Sequence, residues 1–151
     1  FYIFGKKWSK TTKQHKSERV YKIGYATSID GINWVKANKS IIEDKIDENE
    51  CQALPSVIKI RERYHMYFCY RSMLGFREDK KKAYSLGYAY SDDLINWTRD
   101  DNNSGIKQEV NSWDSNMMCY PNVFKLNNEV FLLYNGNEFG KYGFGLARLD
   151  I

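Results

Sequence analysis

One stretch of this chain is written twice. Tyr21-Lys22-Ile23-Gly24-Tyr25-Ala26-Thr27-Ser28-Ile29-Asp30-Gly31-Ile32-Asn33-Trp34 returns as Tyr84-Ser85-Leu86-Gly87-Tyr88-Ala89-Tyr90-Ser91-Asp92-Asp93-Leu94-Ile95-Asn96-Trp97, 63 residues later. A second word repeats as well. Pro55-Ser56-Val57-Ile58-Lys59 is matched by Pro121-Asn122-Val123-Phe124-Lys125. A nearly constant period carried by strand-like words is the signature of a repeat architecture.

The repeated words are rich in aromatic and β-branched residues. Tyr64 to Tyr70 and Val130 to Tyr134 read as mostly buried strands,. Each is preceded by a polar turn, Arg61-Glu62-Arg63 or Asn127-Asn128-Glu129. No segment keeps a helical period over ten residues or more. One unit therefore reads as an inner strand from the proline, a turn, an aromatic strand, a loop, a Gly-Tyr-Ala strand, and a short strand around Trp. Four antiparallel strands in about 65 residues describe one blade of a β-propeller. On this reading residues 1–36 are blade remnants, 54–99 a full blade and 120–151 a partial blade, about two and a half blades in all. A β-sandwich with similar strands is the alternative.

Composition narrows the function classes. Aromatic residues make up 16% of the chain and the net charge is +4. Lysines and arginines are dispersed, and Lys80-Lys81-Lys82 reads as a solvated loop, so no nucleic-acid partner is expected. No apolar run approaches the about 18 residues of a membrane span, so no membrane partner is expected either. Cys51, Cys69 and Cys119 lack metal-ligand spacing; their odd number suits reduced thiols and a cytoplasmic location,. The chain shows no signal peptide, and its first residue is Phe. No metal and no cofactor is expected.

The Ser-x-Asp-x-x-Asn-Trp word occurs in each unit, so it is expected to be a structural staple. Short polar side chains of this kind bond the amides of their own turn. Chemistry is expected where the units differ, in the segments ahead of the two prolines. Those segments hold Glu50 and Gln52 on one side, and Asp114, Asn116 and Tyr120 on the other. Glycosyl transfer requires two carboxyl groups flanking the bond. Glu50 and Asp114 are the candidate catalytic pair. Arg71, Gln52, Asn116, Tyr120 and Asn135 are the candidate substrate-binding residues, Arg71 because its planar fork suits vicinal hydroxyls, phosphate or carboxylate. His65, inside an aromatic strand, is expected to be packed.

The words Pro55-Ser56-Val57-Ile58-Lys59, Tyr64 to Arg71 and Leu86 to Trp97 resemble those of the five-bladed β-propeller glycosidases. These are glycoside hydrolase family 43 and its relatives, families 32, 68 and 130. The resemblance covers about the C-terminal half of such a protein. It implies an inverting hydrolase or a phosphorylase acting on an oligosaccharide or polysaccharide, with a carbohydrate ligand in the channel. It also implies an Asp base in the first blade, upstream of Phe1. The family's acids stand within two residues of the strand proline, where this chain has Ala53-Leu54 and Cys119-Tyr120. Glu50 is thus the expected general acid, with Asp114 tuning it or binding hydroxyls. A non-catalytic carbohydrate-binding propeller and a protein-interaction propeller are the alternatives. A longer chain that supplies the remaining blades is the expectation, and self-association of the partial ring is the alternative to it.

Overall fold

The computed structural model describes residues 1–8 and 17–150. They form small antiparallel sheets. β1 (Tyr2–Trp8) pairs with β2 (Arg19–Gly24), and β3 (Ala26–Thr27) with β4 (Val35–Lys36). β5 (Cys51–Ile60), β6 (Arg63–Arg71), β7 (Ser85–Ser91) and β8 (Thr98–Arg99) make one four-stranded sheet in chain order. β9 (Cys119–Leu126), β10 (Glu129–Asn135) and β11 (Phe144–Arg148) make a three-stranded one. The predicted aromatic strands thus fall on β6 and β10. The remaining described segments are loops with short helical turns, none long and apolar enough to cross a membrane. Residues 9–16 and 151 of the expected blade spans lie outside the described residues.

Each inner strand carries the same irregularity. In β5 the pairing with β6 jumps from Ala53↔Cys69 to Ser56↔Tyr67, so Leu54 and Pro55 oppose Phe68 alone. In β9 it jumps from Cys119↔Asn135 to Asn122↔Leu133, so Tyr120 and Pro121 oppose Tyr134 alone. Proline has no N–H for a ladder bond, which is why it sits at such a bulge. The residue before each proline takes a left-handed backbone, with φ 51° at Leu54 and 57° at Tyr120.

The residues opposite the bulges seal the sheets together. Phe68 is fully buried and lies over Gly87 of β7; Tyr134 lies over Gly145 of β11. A methyl group on Gly87 would stand 2.4 Å from the Phe68 ring, and one on Gly145 would stand 2.6 Å from Tyr134. Only glycine leaves room there, and this explains Gly87 and Gly145. Phe68 joins Ile23, Ile42, Met66 and Ala89 in one core cluster. Tyr134 joins Leu86, Met118, Val123, Val130 and Leu132 in another. Fully burying a side chain the size of Phe68 contributes about 1.5–3 kcal/mol.

The repeated Ser-x-Asp-x-x-Asn-Trp word closes an identical turn twice. Asp30 accepts from the amides of Ile32 and Asn33 and from the Asn33 side chain, at 2.8–2.9 Å. Asp93 accepts from the amides of Ile95 and Asn96 and from the Asn96 side chain, at 2.7–2.8 Å. Trp34 and Trp97 donate their indole N–H to Gly31 and Leu94 carbonyls. Amide hydrogen bonds, chiefly from Asn33 and Asn96, hold both carboxyls well below the ordinary carboxylate value of 3.8.

Gly87→Ala is expected to lower the unfolding free energy by about 1–3 kcal/mol in urea denaturation, the usual cost of overpacking a tight core. The depressed carboxyls give a pH signature. Their stabilisation is complete above the unfolded value and is lost as pH falls through the lower folded values. Acid titrations of stability are expected to show a decline below about pH 4 that is reduced in Asp93→Asn.

Candidate functional site

The strained residues and the aromatic cluster meet at one rim. Tyr120 leaves β9 at the bulge with its side chain 39% exposed. Its ring stacks on Phe139, with centroids 6.1 Å apart and planes 29° apart. Phe139 and Glu138 are themselves left-handed, at φ 60° and 52°, in the turn from Asn137 to Gly140. Tyr84 meets both rings, 6.2 Å from Tyr120 and 6.0 Å from Phe139. Two residues of one turn in a sparsely populated conformation, beside a third at a bulge, are the kind of stored strain that accompanies ligand sites.

Arg71 ends β6 beneath this cluster. Its guanidinium lies 3.6 Å from the Phe76 ring centre and donates through Nε to the Tyr21 hydroxyl at 3.1 Å. Nη1 donates to the carbonyls of Ser72 and Met73 at 2.8 and 3.0 Å. Tyr21 and Tyr84 hydroxyls are hydrogen-bonded to each other across two sheets. Glu18 is 3.7 Å from Arg71 and 2.6 Å from Arg77.

Two adjoining cavities open on these residues. One, of about 400 Å³, is lined by Glu18, Arg19, Tyr21, Arg71, Phe76, Arg77, Tyr84, Tyr120 and Phe139. The other, of about 590 Å³, shares Phe76, Arg77 and Phe139 and adds Glu78, Lys80, Ala83, Asn116, Met117, Asn137, Glu138 and Tyr142. Together they make a groove with aromatic walls and hydrogen-bonding edges, the mixture that suits a polar ligand with an apolar face. Burial and the neighbouring Tyr84 push the Tyr120 phenol up to about 12, so it is a neutral donor across the physiological range. The described residues contain no group of acids, histidines and cysteines arranged to hold a metal ion.

The sequence-predicted residues divide sharply against this groove. Arg71 and Tyr120 line the first cavity, and Asn116 the second. Asn135 pairs with Cys119 beside the bulge and donates to the Phe139 carbonyl at 3.3 Å, so it braces the turn. Gln52 is fully buried, and its amide nitrogen reaches the carbonyls of Ile42 and Glu43 and the carboxylates of Asp44 and Glu50 at 3.0–3.3 Å. His65 is half-buried against the Tyr88 hydroxyl at 2.7 Å, and burial lowers its pKa.

The candidate acids sit elsewhere than expected. Glu50 is fully buried rather than turned to the mouth, and both its oxygens are occupied. One accepts from the amides of Lys45 and Ile46 at 2.9 and 3.0 Å. The other accepts from Gln52 and, at 2.6 Å, from Arg99. Arg99 continues to Asp101, which takes the Tyr88 amide and Lys45. Buried Lys22 pairs with Asp44, and Asp44 reaches Gln52. This chain of charges stitches β2, the loop before β5, and β8. Asp114 is buried against Tyr134, whose hydroxyl donates to it at 3.1 Å; its other oxygen has no hydrogen-bond partner among the described residues. Among the described residues Glu50 and Asp114 share no bonding partner, and neither lines the groove.

Sequence reasoning missed Tyr21, Tyr84, Phe139 and Asn137. Asn137 accepts the amides of Asn116 and Met117 at 2.8 and 3.0 Å, which fixes the loop that carries Asp114. The signal was present: counted from Phe68 and Tyr134, Arg71 and Asn137 occupy equivalent positions at the rim.

No protein-family model matches the chain. It is 34% identical over 128 residues to the uncharacterized protein Rv1502 of Mycobacterium tuberculosis, covering 85% of this chain and 40% of that one. It is 32% identical over 82 residues to a 1,2-beta-oligomannan phosphorylase of Thermoanaerobacter, covering 53% of this chain and 26% of the enzyme. The chain thus spans about 40% of the length of the first curated relatives it matches. Among solved structures, one titled glycoside hydrolase superposes with TM-score 0.65 at 17% identity, over 99% of this chain and 40% of that one. A thermostable family-43 glycoside hydrolase superposes with TM-score 0.56 at 15% identity, over 89% of this chain and 43% of that one. The chain has the fold of the β-propeller glycosidase superfamily.

Glu50→Gln is expected to remove one of the two carboxylates that balance the buried Arg99, leaving Asp101, and to cost about 1–3 kcal/mol of stability, measured by urea denaturation.

Proposed function

We propose that this chain supplies the saccharide-binding groove of a five-bladed β-propeller that acts on glycosidic bonds, by hydrolysis or phosphorolysis. On this reading residues 1–36, 54–99 and 120–151 belong to three successive blades, about two and a half in all, within a longer protein. The observation that carries the reading is the Tyr120–Phe139 stack beside the Arg71–Tyr21–Tyr84 cluster. Aromatic faces take the apolar side of a pyranose, while phenols, amides and guanidinium groups take its hydroxyls. The shared fold with glycoside hydrolases and the partial likeness to an oligomannan phosphorylase point the same way.

Tyr120, Arg71 and Asn116 are the proposed ligand contacts. Glu50 and Asp114 organise the rim in this reading. Glu50 anchors the loop ahead of β5 through its charge network, and Asp114 orders the loop ahead of β9 through Tyr134. One observation favours a non-catalytic carbohydrate-binding propeller as the second reading: both Glu50 oxygens are committed to protein donors, leaving none for a glycosidic oxygen. Hydrolysis needs acids placed about 6.5–9.5 Å apart for inversion. Release of product therefore separates the two readings.

The test uses the full-length protein with β-1,2-linked manno-oligosaccharides, with and without inorganic phosphate, and a panel of arabino-, xylo- and fructo-oligosaccharides. Calorimetric binding to at least one saccharide is expected, with sugar release in the enzymatic reading. Tyr120→Ala is expected to weaken binding about tenfold, equivalent to about 1.4 kcal/mol. A protein that binds no member of the panel would end the saccharide reading.

A further inference from the structure

One carboxylate serves two guanidinium groups at the edge of the groove. Glu18 stands 2.6 Å from Nη1 of Arg77 and 3.7 Å from Nη2 of Arg71. Of the two arginines, only Arg77 is within hydrogen-bonding distance of it. Both also face the Phe76 ring, with guanidinium carbons 3.6 Å (Arg71) and 4.0 Å (Arg77) from its centre. Arg71 is buried, with 3% of its surface exposed. A buried charge is costly unless a counter-charge meets it.

Arg19 adds a third guanidinium to the 400 Å³ cavity. It lies over the Trp8 ring at 5.2 Å and forms no ion pair among the described residues. The sequence from residue 9 to residue 16 holds no Asp or Glu to pair with it. The cavity wall therefore sets three fixed positive charges against one negative. The neighbouring cavity is balanced, with Arg77 and Lys80 facing Glu78 and Glu138. Positive charge is thus concentrated at one end of the groove, and a cleft lined by one sign of charge draws in the other. The same cavity holds the Tyr120–Phe139 stack, so a sugar ring and an anion would meet there together. Arg77 is 58% exposed and gives only Nη1 to Glu18; no bond from its Nε or Nη2 forms among the described residues. A planar fork with donors to spare suits a carboxylate.

We propose that the 400 Å³ cavity is a subsite for an acidic sugar, a uronosyl unit whose carboxylate is met by Arg77 and Arg19 in the field of Arg71. The inference rests on the saccharide reading of the groove and names its substrate class: an oligosaccharide with a uronate at this end and neutral units toward Asn116. Glu18 competes with the ligand carboxylate for Arg77 and so sets how strongly acidic sugars are preferred.

The test is calorimetry on the full-length protein with matched pairs: each panel saccharide, β-1,2-mannotriose first, and the same saccharide with its primary hydroxyls oxidised to carboxylates. Wild type is expected to bind the acidic member about tenfold more tightly, the worth of one charge-assisted hydrogen bond, and to lose part of that preference as salt is raised. Two variants are expected to move the ratio of acidic to neutral affinity in opposite directions. Arg77→Gln lowers it to about threefold or less, and Glu18→Gln raises it by removing the competing carboxylate. A structural role alone would weaken both members of a pair together. Equal affinity for acidic and neutral members in wild type, or a preference that neither variant moves, overturns the acidic subsite while the saccharide groove stands. Inorganic phosphate is titrated separately: phosphate that binds while the paired saccharides stay equal assigns the cavity to a free anion and also overturns it. A wild-type protein that binds no saccharide of either kind overturns both readings.

Discussion

The left-handed residue ahead of each inner-strand proline is the constraint on which the rest of this structure depends. Proline removes a ladder donor and forces two residues to oppose one. At Leu54-Pro55 and Tyr120-Pro121 the same bulge results, with Phe68 or Tyr134 standing alone opposite it. That residue is then free to lean onto the neighbouring strand, where Gly87 or Gly145 makes room. One local event therefore seats the ring that joins adjacent sheets and turns the side chain before the proline outward. In one unit that side chain is Leu54; in the other it is Tyr120, and the difference separates a packing repeat from a groove.

A second organising principle is the division of charge. Three deeply buried ions, Lys22, Glu50 and Arg99, are spent on Asp44, on one another and on loop amides. Such a network contributes little net stability, because desolvation offsets the attraction, yet removing one partner is costly. Its role is positional: it sets the loop that leads into β5. The groove instead exposes aromatic faces, neutral phenols and arginines partly balanced by Glu18. The carboxylate that looked most available in the sequence is thus the one most firmly committed in the fold.

Much of the architecture was legible because repetition is a sequence property. The Gly in Gly-Tyr-Ala, the Asp-Asn-Trp turn and the strand proline each answer to a local rule, and each does the same job in both units. The site was only partly legible. Tyr120 and Asn116, singled out because they precede the strand proline where the units differ, and Arg71, singled out for its planar fork, line the two cavities. Tyr21 and Tyr84 were passed over for the opposite reason: they are the same residue in both units, and repetition reads as scaffold. Their hydroxyls meet only because consecutive sheets bring their ends together.

The sequence alone determined the period, the strand words and the turns, since all depend on neighbours within a few residues. Tertiary structure decided which polar groups face one another. It buried Glu50 against Arg99, 49 residues away in sequence, and paired Arg71 with Tyr21, 50 residues away. A charge between sheets must find its partner across the interface or leave the interior. No local pattern encodes which distant residue will be there.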